Sequence, residues 1–325
     1  LRRPGKEIEN FDAKEVRFAD VPVDVELMRK EHDAVADIYR NHGVKVYYVE
    51  EQREDRPNAI FCRDLMFMTP EGAIVTRPGL AARRGEERYV AKKLAELGVP
   101  IIRTINGGGR LEGANAMWVD RHTCIISTGA RTNREGAEQL EMELRRQGVN
   151  NIIWMQIPYG HAHIDGLLNF ASEDTAMVFA AQVPYDVCDA LKKKGIQLLE
   201  CPSRTEAKFT AAVNFVAIKP GLIVQCDGNP RSREVLEKAG IKKEEVSFYI
   251  LHQAHERIIL SAAKRLGESM EKFPVNMKKY GNTSSASIPI LLDELNKKGA
   301  FKRGENIVLS GFGAGLSYGA SILKW

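Results

Sequence analysis

Apolar positions along the chain change period in a recurring way. An amphipathic stretch with helical spacing is followed by a glycine and then by a short β-branched run. The copies are Val25 to His42 with Gly43 and VKVYYV, Glu86 to Leu97 with Gly98 and VPIIRT, and Glu135 to Gln147 with Gly148 and VNNIIWM. Asp186 to Lys194 with Gly195 and IQLLEC, and Ser232 to Ala239 with Gly240 and Ile241, continue the series. The glycines fall 55, 50, 47 and 45 residues apart, each where a left-handed residue would close the last helical turn. Between them lie further strand candidates: Ile60 to Met68, Ala116 to Val119, Cys124 to Thr128, Thr175 to Ala180 and Asn214 to Lys219. The unit is therefore ββαβ, and five copies predict an α/β fold arranged radially around a central site; an open α/β sheet with glycine-capped helices is the alternative. The opening LRRPGKE reads as the interior of the first strand region, with a short N-terminal piece expected before it.

The pattern changes after Ile241, where KKEEVSFYILHQAHERIILSAAKRLG replaces the strand of a fifth unit. Here the spacing predicts a helix from Ala254 to Leu266, with Ile258, Ile259, Ala262, Ala263 and Leu266 on one side. A helix from Ile288 to Lys298, a strand from Glu305 to Ser310, a GFGAG turn at Gly311 to Gly315 and a strand from Tyr318 to Lys324 follow. Two domains are expected, 1–241 and 242–325, joined without the Gly/Pro/Ser-rich linker usual between fused domains.

Composition narrows the function classes. With 44% hydrophobic and 28% charged residues the chain is globular, and no apolar run reaches the roughly 18 residues of a membrane span. We therefore expect a cytoplasmic protein with no membrane partner. The five cysteines are scattered without a CxxC pair, which excludes a disulfide framework and a cysteine zinc site, so no metal or cofactor is expected. Net charge is +4, too small for a nucleic-acid binder, but residues 242–325 hold 13 Lys/Arg against 8 Asp/Glu, and the rest of the chain 34 against 35. A surface for an acidic or phosphate-bearing partner would lie in the C-terminal part.

Polar residues next to the strands carry the chemistry: Asp64 in FCRD, Glu112 in LEGAN, Arg131 in GARTN, and His163 with Asp165 in HAHID. A guanidinium presents up to five N–H donors in a plane, so carboxylates such as Asp64, Glu112 and Asp165 suit it. His163 is the natural proton shuttle, and a thiolate the plausible nucleophile for chemistry at the guanidinium carbon. Cys62 would share a face with Asp64 if that stretch were a strand.

In this order FCRD, LEGAN, GARTN and HID resemble the amidinotransferase and arginine deiminase superfamily, over about Leu1 to Ile241. The resemblance implies a five-bladed α/β propeller, the pentein, acting on an arginine-like guanidino compound through a covalent amidino-cysteine intermediate. Asp64 and Asp165 would grip the guanidino group, Glu112 would add a carboxylate, His163 would be general acid/base, and Arg131 would order the site or bind the substrate's carboxylate. The family's nucleophilic cysteine lies in the fifth repeat near the C-terminus, and no cysteine follows Cys226 here.

HQAHERI, YGNTSSAS and GFGAGLSYGAS resemble the C-terminal part of the β-ketoacyl-acyl carrier protein synthase III family, condensing enzymes of thiolase fold. The resemblance implies that His252 and Asn282 stabilise an enolate, that an amide within Gly313 to Gly315, at Ala314, serves as oxyanion hole, and that Arg257 meets acyl carrier protein or CoA. His255 stands where the family usually has Asn, and the family's cysteine half is absent. Three functions follow: a guanidino-modifying hydrolase or transferase impaired by loss of its thiol, a condensing enzyme of fatty acid biosynthesis, and a non-catalytic chimera. Both families commonly form dimers or larger assemblies, so a homo-oligomer is a further expectation.

Overall fold

The computed structural model describes residues 1–9, 23–312 and 318–325. The chain divides into two compact units, Leu1–Leu236 and Glu237–Trp325.

The first unit begins with a short helix α1 (Lys6–Glu9) and the long α2 (Val25–Asn41). Three sheets of identical plan follow. Strands β1 (Met66–Thr69) and β2 (Gly72–Val75) form a hairpin, α3 (Glu87–Glu96) crosses over, and β3 (Ile101–Thr104) returns parallel to β2. The same plan repeats in β4 (Ala116–Asp120), β5 (Thr123–Thr128), α4 (Arg134–Arg146) and β6 (Asn151–Gln156). It repeats again in β7 (Leu168–Phe170), β8 (Thr175–Val178), α5 (Tyr185–Lys193) and β9 (Gln197–Glu200). A short α6 (Arg204–Phe209) leads to a hairpin of β10 (Val216–Lys219) and β11 (Leu222–Val224), then to α7 (Pro230–Ala239).

The glycine after each helix makes the return possible. Gly43, Gly98, Gly148 and Gly195 have φ of 79°, 72°, 85° and 82°, a region costly for residues with a Cβ. The next amide then reaches back five residues, as from Val99 N to Leu94 O and from Val149 N to Leu144 O. Gly240 departs from this expectation. It is not among the left-handed residues, and Ile241 N bonds Lys238 O only three residues back, so α7 ends without the turn that launches a parallel strand. Accordingly β10 and β11 form a two-stranded sheet where the other three have a third strand.

Two other expectations need correction. VKVYYV after Gly43 belongs to no sheet, although Leu1 and residues 47–49 exchange two backbone bonds, Leu1 N to Tyr47 O and Val49 N to Leu1 O, each 2.8 Å. Residues 60–68 are not one strand. The 3-10 turns Pro57–Ile60 and Cys62–Leu65 precede β1, so the alternation that would set Cys62 and Asp64 on one face does not apply. The helices bury the faces that their periodicity marks: Ala137, Leu140 and Leu144 of α4 pack with Ile74, Leu111 and Ile126, and Val187 and Leu191 of α5 with Met177 and Ile153.

In the second unit β12 (Val246–Leu251) is followed by α8 (Glu256–Leu266), the short α9 (Met277–Tyr280) and α10 (Ser287–Lys297). Strand β13 (Asn306–Phe312) pairs parallel with β12, and β14 (Tyr318–Lys324) pairs antiparallel with β13 from Asn306↔Lys324 to Phe312↔Tyr318. Alternation along β12 serves two faces: Tyr249 and Leu251 pack with Ile259, Ala263 and Phe273, while Ile250 packs with Ile307, Leu291 and Phe301. Of the expected α8 stripe, Ile259 and Ala263 are buried whereas Ile258 and Leu266 are exposed.

Candidate functional site of the N-terminal unit

Three 3-10 turns hold equivalent places in the repeats, each directly before the first strand of a sheet. They are Cys62–Leu65 before β1, Gly113–Asn115 before β4 and Ile164–Gly166 next to β7. Asp64 lies within the first turn, Glu112 is the residue before the second, and His163 and Asp165 flank the start of the third. Repeat equivalence is therefore what brings residues about fifty positions apart to one place. The first two turns touch so closely that a Cβ on Gly113 would stand 2.0 Å from Met66 O and 2.4 Å from Arg63 O.

His163 Nε2 lies 2.7 Å from Glu112 Oε2 and 3.6 Å from Asp64 Oδ1. Glu112 is wholly buried, and its other oxygen accepts from Gly79 N at 3.1 Å and meets Arg131 Nη1 at 3.4 Å. Thr132 Oγ1 accepts from Glu112 N at 3.2 Å, and Thr76 Oγ1 donates to Asp64 O at 2.7 Å, so both backbones are anchored. Burial disfavours the charged imidazole, but the Glu112 hydrogen bond and the charges of Asp64 and Asp165 outweigh it and raise the His163 pKa. Burial likewise opposes ionisation of Glu112, and His163, Arg83 and Arg131 overcome it and hold that carboxyl below its ordinary range. Both shifts favour a protonated imidazole on a carboxylate. Asp165, buried and 3.4 Å from Arg63 Nε, has its pKa raised by that burial against the pull of His163 and Arg63.

Sequence reasoning missed two members, Arg83 and Glu86. The Arg83 guanidinium is buried with its donors engaged: Nη1 lies 2.6 Å from Asp64 Oδ2 and 3.7 Å from Glu112 Oε2, Nε 2.9 Å from Glu86 Oε2, and Nη2 donates to Asn58 O and Phe61 O. Glu86 is wholly inside, and burial lifts its pKa to about 7 against Arg83. Only the doublet Arg83–Arg84 beside two glutamates marked the place, and in sequence that reads as a solvated charge run.

None of the five thiols, all free, is a polar partner of His163. Cys62 Sγ turns to Ala59 O at 3.8 Å and packs with Val49, Leu65 and Val90, and burial raises its pKa. Burial also pushes Cys124 up to about 12.

In the second unit His252 Nδ1 is 2.6 Å from Ser287 Oγ, and buried Gln253 ties the segment to Asn276 N. Asn282 is exposed, its Oδ1 accepting from Ser284 N at 2.9 Å, and Arg257 is exposed at the start of α8. Ala314 lies outside the described residues. No helix among the described residues is long and apolar enough to cross a membrane.

Comparison with known proteins separates the two parts in the same way. Residues 8–222 match the family model described as N,N dimethylarginine dimethylhydrolase, eukaryotic, and residues 236–325 match that of 3-oxoacyl-[acyl-carrier-protein (ACP)] synthase III C terminal. A beta-ketoacyl-[acyl-carrier-protein] synthase III of Clostridium acetobutylicum is 52% identical over 93 residues, 29% of this chain and 29% of that protein. The synthase III of Aquifex aeolicus is 55% identical over 93 residues, 29% of this chain and 30% of that one. The chain thus spans under a third of each of these relatives. Among solved structures, the dimethylarginine hydrolase DDAH of Pseudomonas aeruginosa, complexed with citrulline, covers 74% of this chain and 87% of its own at TM-score 0.61 and 22% identity. The N-terminal domain of ArgZ, an arginine dihydrolase from cyanobacteria, covers 67% and 77% at TM-score 0.56 and 16% identity. These likenesses show the pentein fold that the motif resemblance implied, with separate sheets and the fourth one incomplete. Through residues 8–222 the chain belongs to the eukaryotic N,N-dimethylarginine dimethylhydrolase family, and it carries behind that region a C-terminal segment of the synthase III kind.

Proposed function

We propose that the N-terminal unit recognises an arginine-like guanidino compound through Asp64, Asp165, Glu112 and Arg131, with His163 as general acid/base, in the manner of an amidinohydrolase or amidinotransferase. The observation that carries this reading is that Asp64, Glu86 and Glu112 already surround a guanidinium, that of Arg83, with Asp64 at 2.6 Å. Arg83 takes Asp64 through Oδ2, which leaves Oδ1, 3.6 Å from His163 Nε2, to accept a charge-assisted hydrogen bond from a substrate guanidinium. His163, 2.7 Å from Glu112 and partly open to solvent, has a proton to give to a leaving amine. Arg131, on Glu112 in this structure, is the cation that would meet a substrate carboxylate.

The covalent step is the impaired one. It requires a thiolate on the guanidinium carbon, and no thiol of this chain meets His163. Binding without turnover is therefore the expected behaviour, and methylated arginine is the first compound to try, given the family's name. Calorimetric titration and intact-protein mass spectrometry with a panel of guanidino compounds test both halves. Saturable binding that Asp64→Asn weakens by about 10-fold or more, with no amidino-sized adduct, is expected. An adduct on any cysteine would remove the claim of impairment, and absence of binding by a folded protein would remove the whole reading.

A second reading rests on the half-identical C-terminal segment, in which His252 and Asn282 would meet an enolate and Arg257 a carrier protein or CoA. It needs an acyl-accepting cysteine, and none of the five cysteines stands in the ACSG-like context of that family. Short acyl-CoA thioesters in the same mass measurement test it, an acyl adduct being the result in its favour.

A further inference from the structure

We propose that Arg63 is a specificity-determining residue: its guanidinium occupies on Asp165 the place of the substrate's guanidinium, and once displaced it meets an anionic group at the substrate's far end. The compounds taken would then end in a carboxylate rather than in an amine alone. The inference rests on the guanidino reading above and goes beyond it in assigning this residue and the charge of the far end.

Two kinds of arginine meet the carboxylates of the N-terminal unit. Arg83, its side chain 3% exposed, contacts Asp64 at 2.6 Å and Glu86 at 2.9 Å and donates to Asn58 O and Phe61 O. It cannot leave without stranding buried acids. Arg63 is of the other kind. Its side chain is 53% exposed, and its one ion pair, Nε to Asp165 Oδ2, is long at 3.4 Å. Among the described residues it is also the only cation within ion-pair distance of Asp165. A single, half-exposed ion pair contributes little, so an incoming guanidinium with fork geometry replaces it readily.

The backbone stays in place while the side chain leaves. Arg63 lies in the turn Cys62–Leu65, packed so closely on the next turn that a Cβ on Gly113 would stand 2.4 Å from Arg63 O. The cation therefore swings from a fixed base. Asp165 by contrast is buried, and burial raises its pKa against the pull of His163 and Arg63, so a carboxylate there needs a cation beside it. The substrate's guanidinium supplies that cation, and the released Arg63 then needs an anion within its reach. Arg131, 20% exposed and 3.4 Å from Glu112, stands in the same relation to its acid. Cations loosened in this way favour a carboxylate at the substrate's other end and disfavour an ammonium there.

Calorimetric titration of the full chain with γ-guanidinobutyrate and with guanidinobutylamine tests the assignment, since these compounds are of like length and differ in the charge of the far end. The acid should bind at least about 10-fold more tightly than the amine. Arg63→Gln should weaken binding of the acid and tighten that of the amine, reducing the ratio by about 5-fold or more, and Arg63→Lys should restore much of it. A merely structural role would move both compounds in one direction. Circular dichroism confirms that the variants are folded, and the preference of the parent is read without any variant. Equal binding of the two compounds by the parent, or an unchanged ratio in Arg63→Gln, overturns the role of Arg63 and leaves the guanidino reading standing. A folded parent that binds neither compound overturns both.

Discussion

Burying Glu86 beside Arg83 has a measurable consequence at the scale of one residue. Its carboxyl titrates near 7 in the fold and near its ordinary value in the unfolded chain, so the folded state binds the extra proton between those limits. The resulting stability is fully present below about pH 4.5 and is lost as pH rises through about 7. Glu86→Gln should remove that slope, which amounts to at most about 3 kcal/mol, and denaturant titrations from pH 4 to pH 8 check it. A parent profile no steeper than that of the variant would contradict the burial argument. Glu112 shifts down and His163 up, since each supplies the counter-charge that the other needs, whereas burial moves Glu86 up. His163 was legible as a candidate because histidine next to an acid is a short pattern. Arg83 was not, because its role depends on three carboxylates from separate parts of the chain reaching one guanidinium.

At the scale of elements, the close approach of the turns determines how well the site is held. Gly113→Ala would press a methyl group against Met66 O and Arg63 O, both backbone, and should cost about 1–3 kcal/mol while loosening His163 from Glu112; thermal unfolding measures the first. Leu140→Ala in α4, wholly buried in the cluster with Ile126 and Leu144, should cost about 2–5 kcal/mol by the same measurement. The missing third strand is read by hydrogen exchange. Central strands β2, β5 and β8 are paired on both sides, whereas β11 is paired only with β10, so the amides of Leu222–Val224 should exchange faster than those of the three central strands. Helix and strand periods, together with the glycines, made the elements readable. The 3-10 turns escaped because Ile60 to Met68 has a strand-like composition, while its actual conformation is set by packing of the turns on one another.

For the whole molecule, two units with their own apolar clusters predict unfolding in more than one step. Calorimetry should give a van't Hoff enthalpy below the calorimetric one, and a single two-state transition would argue that the units unfold together. The change of period after Ile241 already told of two parentages, since periodicity and motif are properties of local chain order. So were the ββαβ plan, the helix faces and the carboxylates Asp64, Glu112 and Asp165. Tertiary structure alone decided which charges meet. It placed a buried guanidinium among the carboxylates, directed Cys62 Sγ to Ala59 O, denied Gly240 the left-handed turn and left β11 without its parallel partner. These outcomes depend on distances between segments fifty or more residues apart, and in such cases burial and mutual charge, rather than the identity of any single residue, set the energy.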